Sequence, residues 1–294
     1  MSTMQVSLLV LAAALMHALW NTMVKVGEAR LLTMALISTT SMLAGGVLAL
    51  LLPLPLAESW PFLVLSTLVH YAYKTTLVLA YRLGDLSLVY PLSRGSGPLL
   101  LALAAAVAAP AGQGMTPASL AGVLLISLGV ISLAWPPGRG RGGGGLSGAV
   151  SGNAPAAGVA LAVGVMIALY TWADGQGVRA SGRPLAYIGW LFLLDGLPWA
   201  AYLGWRSLRP GGRPARRSLL PGVGAGLLSL AAYGLVVWAL SQGNMVAVAA
   251  LRETGVLFAT LLGVWRLGEP LGGRRLAASC CVVAGIALLH FPAG

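Results

Sequence analysis

Pro136-Pro137-Gly138-Arg139-Gly140-Arg141-Gly142-Gly143-Gly144-Gly145 opens the longest stretch of the chain that belongs to no apolar run. Its prolines stop helices, its glycines loosen the backbone and its arginines seek water, so Pro136–Asn153 reads as a flexible linker. A phosphate-binding loop is the alternative for the glycine run, but the segment lacks a Lys-Ser/Thr ending and follows no strand. Outward from the linker, apolar runs recur toward both ends. Before it lie Gln5–Val26, Leu31–Leu52, Trp60–Tyr81, Leu86–Ala108 and Thr116–Trp135. After it lie Pro155–Ala173, Pro184–Trp205, Leu219–Ser241, Asn244–Trp265 and Leu271–His290. Each is near the ~20 helical residues that cross a ~30 Å hydrocarbon core. The predicted fold is an all-α integral membrane protein of ten transmembrane helices. It divides into a five-helix repeat at residues 1–135, the linker at 136–153 and a second repeat at 154–294.

Composition excludes the main alternatives. Of 294 residues, 58% are hydrophobic and 9% charged, against roughly 25% charged in a soluble domain. Soluble enzymes, nucleic-acid binders and secreted disulfide scaffolds cannot be built from such a chain. The net charge of +11 is read as arginine-rich loops at a membrane face, and no nucleic-acid partner is expected. The first apolar run lacks a basic n-region and is too long for an h-region, so no cleavable signal peptide is expected. The links are too short for a soluble catalytic domain. Cys280 and Cys281 sit side by side in an apolar run and read as small packing residues. No metal or cofactor is expected.

The two halves resemble each other. At a constant offset of 159 residues, Gly84-Asp85-Leu86 aligns with Gly243-Asn244-Met245, Val89 with Val248 and Leu92 with Leu251. Met16, Ala18, Leu19 and Trp20 align with Met166, Ala168, Leu169 and Tyr170 in the same order. Five is odd, so the second half crosses in the opposite sense, which makes an inverted repeat around a central cavity. Links after odd spans carry Lys25, Arg30, Arg82, Arg139, Arg141, Arg206, Arg209, Arg213, Arg216, Arg217, Arg266, Arg274 and Arg275. Links after even spans carry only Arg179 and Arg183. The positive-inside rule then puts the odd links in the cytoplasm and both termini outside.

Charged groups at membrane depth are costly and mark function or partners. Arg94 and Glu253 each lie about 12–14 Å into their spans, near the midplane, and occupy mated positions of the repeat. Arg252 is the mate of Ser93, and Lys74 that of Tyr233. Arg94 and Arg252 are expected to attract an anionic group of a solute. Glu253 is expected to hold its cationic group or to carry a coupling proton. Lys74 and Asp195 are second-line groups, and Trp20, Asn21, Tyr170, Tyr233 and Ser93 supply stacking or hydrogen bonds. As neighbours on a helix, Arg252 and Glu253 point about 100° apart and are expected not to pair with each other. Pro91, Gly95, Gly97 and Pro98 predict an interrupted fourth span, and Gly255 a break in the ninth; paired interruptions point to a transporter binding site. The rival reading of the ion pair is purely structural.

The segment Ala18-Leu19-Trp20-Asn21-Thr22-Met23-Val24-Lys25, the Gly268-Glu269-Pro270-Leu271 turn and the late Gly285-Ile286-Ala287-Leu288 resemble the EamA-type ten-helix members of the drug/metabolite transporter superfamily. The resemblance covers nearly the whole chain. The first half departs from it, with Ala109-Pro110-Ala111-Gly112-Gln113-Gly114 in place of the Gly-Glu turn. It implies a transporter of small metabolites, often an exporter of amino acids or related solutes, and termini in the cytoplasm, opposite to the charge count. The expected protein is a multi-pass secondary transporter of the cell (inner) membrane working by alternating access, as monomer or homodimer. The rivals are an assembly protein without solute and an intramembrane enzyme. No His-x-x-His, His-Glu-x-x-His or Gly-x-Ser-x-Gly pattern supports the enzyme.

Overall fold

The computed structural model describes residues 2–26, 30–84, 86–108, 115–134, 153–211, 213–259, 261 and 273–290. Among them are ten α-helices of defined extent. These are α1 (Thr3–Val26), α2 (Arg30–Leu51), α3 (Trp60–Leu83), α4 (Leu86–Ala108), α5 (Pro117–Ser132), α6 (Ala154–Ala180), α7 (Pro184–Ser207), α8 (Arg216–Gln242), α9 (Met245–Arg252) and α10 (Gly273–His290). Helical backbone resumes at residues 255–259. The linker 136–153 lies outside the described residues except for Asn153.

Five helices, α1, α2, α3, α6 and α8, are long and apolar enough to cross a membrane. Helices α4 and α7 have 23 and 24 residues, and their polar, Pro and Gly content dilutes an otherwise apolar sequence. The outward faces are apolar: Leu50, Val107 and Leu220 are 88%, 80% and 82% exposed. Such leucines suit lipid. This is an all-helical, multi-pass membrane fold.

The described chain forms two compact units. The first comprises residues 1–67 and 173–243, and the second 68–172 and 244–294. Each draws on both halves of the sequence, with α3 and α6 contributing to both units.

In the first unit α2 packs on α7 and α8, and α1 on α8. Between helices in lipid there is little hydrophobic driving force, so close van der Waals approach has to hold them. A Cβ on Gly189 would stand 2.9 Å from the Ala49 nitrogen and the Gly45 carbonyl, so small residues permit the α2–α7 contact. Ser41 Oγ, also on α2, donates to the Gly226 carbonyl of α8 at 2.8 Å. Arg179 Nε donates to the Leu240 carbonyl at 3.0 Å and its Nη2 to that of Gly243 at 2.6 Å. These bonds satisfy carbonyls at the C-terminal end of α8. Arg183 Nη1 reaches the Leu54 carbonyl at 2.5 Å. The two arginines of the even links are thus clamps on backbone carbonyls.

In the second unit α5 packs on α10 and α4, and α9 on α4 and α5. The core is Leu101, Val123, Ile126, Val130, Val246, Ala249, Ala250 and Val282 with Val256. Thr116 Oγ1 caps α5 by accepting from the Ser119 N–H at 3.2 Å, with Pro117 in the first turn. Asn244 Oδ1 caps α9 by accepting from Val246 and Ala247 at 2.9 and 3.2 Å. These caps fix where α9 begins, and so how deep its last residues lie.

Candidate functional site

Arg94 is the ninth residue of α4, about 12 Å along the helix axis from Leu86. Helix α9 ends at Arg252, which places Glu253 on the turn that follows. The two meet: Arg94 Nε lies 3.0 Å from Glu253 Oε2. Arg252 closes from the other side, with Nε and Nη2 each 3.3 Å from Oε1. Glu253 is fully buried, and Arg94 and Arg252 are only 6% and 4% exposed. The three side chains sum to one net positive charge.

Arg252 and Glu253 therefore pair, against the expectation from helical spacing. The 100° rule needs a continuing helix, and here the backbone tightens. The N–H groups of Glu253 and Thr254 bond to the carbonyls of Ala250 and Leu251 at 3.0 and 3.1 Å, three residues back instead of four. The turn swings the Glu253 side chain toward its neighbour. The Thr254 hydroxyl holds the turn by donating to the Leu251 carbonyl at 2.7 Å.

The fourth span also departs from expectation. Pro91 and Pro98 lie inside one continuous helix, Leu86–Ala108. Pro91 and Pro98 each remove one bond, to the carbonyls of Ser87 and Arg94 four residues back, and Ser93 Oγ and Ser96 Oγ add side-chain bonds within the helix by donating to the Tyr90 and Ser93 carbonyls at 3.1 and 3.2 Å. Gly95 and Gly97 serve close packing. A Cβ on Gly95 would fall 2.5 Å from Ile131 Cγ1 and 2.8 Å from the Ser127 carbonyl; one on Gly97 would fall 2.6 Å from Ile167 Cγ2. Among the described residues of these two spans the interruption falls in the ninth, at Glu253–Thr254; Gly255 already belongs to the helical stretch beyond it.

Aromatic rings line the arginines. The Arg252 guanidinium carbon stands 5.6 Å from the Tyr170 ring centre and that of Arg94 5.9 Å from Tyr90, within cation–π range. His70 stacks on Tyr170 at 4.2 Å, and Tyr73 meets it edge-on at 5.6 Å. The second unit thus brings together Arg94, Arg252, Glu253, Tyr170 and buried Ser93. Lys74, half-buried on α3, belongs to the same unit.

The remaining predicted residues lie in the first unit. Asp195 on α7 is half-buried. Trp20 packs edge-on against His17 at 5.0 Å, and its buried indole N–H has no hydrogen-bond partner among the described residues. The side chain of Asn21 lies outside the described set. Tyr233 donates to Asp174 Oδ2 at 2.6 Å, and Tyr187 to Oδ1 at 3.2 Å. Asp174 is fully buried, and the apolar pattern does not single it out because it follows directly on the run that ends at Ala173. Asp174-Gly175-Gln176-Gly177 has turn composition, yet α6 runs on to Ala180. Gly177 makes room for Tyr187: a Cβ there would lie 2.5–2.7 Å from the tyrosine's Oη, Cε2 and Cζ atoms. Among the described residues, no group of three or more His, Cys, Asp and Glu could hold a metal ion.

Fold and site together define a class: polytopic helical membrane proteins with an ion-paired polar centre at membrane depth. Residues 154–291 match the model of the EamA-like transporter family, the family type that the sequence motifs resemble. A solved crystal structure of a protein aligns over 98% of this chain and 98% of its own, with a TM-score of 0.74 and 20% identity; at that identity the likeness is one of fold alone. No curated protein matches the sequence at a significant level.

Proposed function

We propose that the chain is a secondary transporter that exports a small anionic or zwitterionic metabolite, of the amino-acid or organic-acid class, by alternating access in the inner cell membrane. The observation that carries this reading is the fully buried Glu253 carboxylate between Arg94 and Arg252. Removing three charged groups from water is expensive, and an apolar trio of similar volume would pack as well or better. Two cations facing one anion leave a net charge that an anionic solute group can balance. Tyr170, against the Arg252 guanidinium, offers an aromatic face to the solute.

Glu253 is also the group proposed to carry a coupling proton or to hold the solute's cationic end. Lys74, Asp195, Trp20 and Asn21 are second-line groups. Tyr233 donates its hydroxyl proton to Asp174 at 2.6 Å, so toward a solute it offers an acceptor oxygen or its ring, and a donor only after exchanging that bond. The inverted repeat of residues 1–135 and 154–294 supplies the two-state element that alternating access needs.

The test is thermal stabilisation of the purified protein by amino acids, organic acids, phosphorylated solutes and cationic drugs, with Arg94→Ala and Glu253→Ala alongside. A bound ligand raises Tm in proportion to saturation. The reading predicts stabilisation by an anionic or zwitterionic solute that disappears in Arg94→Ala. Stabilisation by cationic drugs alone, unchanged in both variants, contradicts it.

A further inference from the structure

We infer that Glu253 is a built-in stand-in for the solute's carboxylate: Arg94 holds either Glu253 or the solute, and transport proceeds by exchanging the two. The inference rests on the reading of the arginines given above and deepens it. It selects carboxylates, the chemistry of the group they already hold, over tetrahedral anions.

Three observations carry it. Glu253 is held poorly for a buried carboxylate between two arginines. Among the described residues one aligned N–H···O bond reaches it, from Arg252 Nε at 3.3 Å, against about 2.7–2.9 Å for a good charge-assisted bond. The Arg94 Nε and Arg252 Nη2 contacts have ion-pair distance without hydrogen-bond alignment. A carboxylate free to rotate can meet a guanidinium edge-on with two parallel bonds, which Glu253, tethered to its turn, does not do.

The tether is also built to move. Glu253 is the residue between α9 and the helical stretch 255–259, where Glu253, Thr254, Val256 and Leu257 all bond three residues back at 2.9–3.1 Å. Few dihedral changes in that turn swing the carboxylate away from Arg94 while Arg252, its chain neighbour, goes with it.

Finally, the Arg94–Glu253 contact is the ion pair that joins α4 to the α9 turn. A solute carboxylate that takes Arg94 releases the turn, so binding is coupled to a backbone change. When Glu253 returns it competes the solute off, so the same residue that opposes binding drives release.

The experiment measures affinity and turnover separately, in proteoliposomes, for wild type, Glu253→Gln, Glu253→Asp and Arg94→Gln. The probes are L-glutamate, succinate and inorganic phosphate. Exchange predicts that Glu253→Gln lowers KM for the carboxylates at least tenfold and lowers Vmax, because release has lost its competitor. Glu253→Asp keeps the charge and guards against a folding failure; with a shorter reach it shifts both quantities the same way, by less. A carboxylate that wild type carries through Arg94 but that Glu253→Gln and Glu253→Asp bind with unchanged or higher KM overturns the inference and leaves the anion site standing. So does tightening for phosphate alone. If Arg94→Gln leaves every probe unaffected, the anion site fails and the inference falls with it.

Discussion

Glu253 answers two arginines, and this makes the site asymmetric. Removing Arg94 leaves Arg252 and Glu253 as a balanced pair, whereas removing Glu253 leaves two buried cations facing each other. Breaking a buried ion pair by deleting one partner typically costs about 3–5 kcal/mol. Glu253→Leu is therefore expected to lose stability in that range, and Arg94→Leu distinctly less, as read from Tm in detergent. Equal losses would mean that Arg252 contributes nothing to the site. Asp174 allows a similar comparison. Tyr233 grips it at 2.6 Å and Tyr187 at 3.2 Å. Tyr233→Phe is expected to cost about 1.5–3 kcal/mol, the range for a hydrogen bond to a charged group, and Tyr187→Phe less. The residues of the arginine centre were legible because a charge at midspan stands out against an apolar background. Asp174 was not, because a Gly-rich run with one acid looks like a loop until the ring packed on Gly177 is known.

Whether an element breaks depends on what its neighbours supply. Helix α4 carries two prolines and two glycines within nine residues and stays continuous, with its glycines packed tightly against Ile131 and Ile167. Gly95→Ala is expected to destabilise by about 1–3 kcal/mol, the usual range for overpacking, since the new methyl meets Ile131 and the Ser127 carbonyl. Tm and the yield of folded protein read the effect, and an unchanged Tm would place the α4–α5 contact elsewhere. The ninth span carries one glycine and no proline before residue 260 and yet breaks, at a Glu-Thr pair held by ion pairs and a threonine bond. The apolar runs foresaw most helix ends to within a few residues. They could not foresee this turn, where local bonds to Ala250 and Leu251 combine with an ion pair to Arg94 on α4.

At the scale of the molecule, the compact units and the sequence halves divide the chain differently, since each unit takes helices from both halves. Hydrophobic periodicity reports where spans lie and not which spans pack together, so the spans were legible and the units were not. Charge gives a further whole-molecule expectation. Arg179 and Arg183 are occupied with backbone carbonyls, so the loop arginines available for the positive-inside rule lie on the odd links. A cysteine at exposed Leu208, in an otherwise cysteine-free chain, is expected to react with an impermeant maleimide only after cells are permeabilised. Labelling of intact cells would reverse the orientation, as the family resemblance implies.

The central claim, that Arg94 receives the solute's anionic group, is tested most directly by uptake of radiolabelled L-glutamate, succinate, L-lysine and choline into proteoliposomes. Wild type and Arg94→Gln are compared at equal protein content. The account predicts that an acidic solute is carried by wild type and that at least nine-tenths of its uptake is lost in the variant. Uptake of lysine or choline by both proteins alike, with neither acid carried, would contradict it.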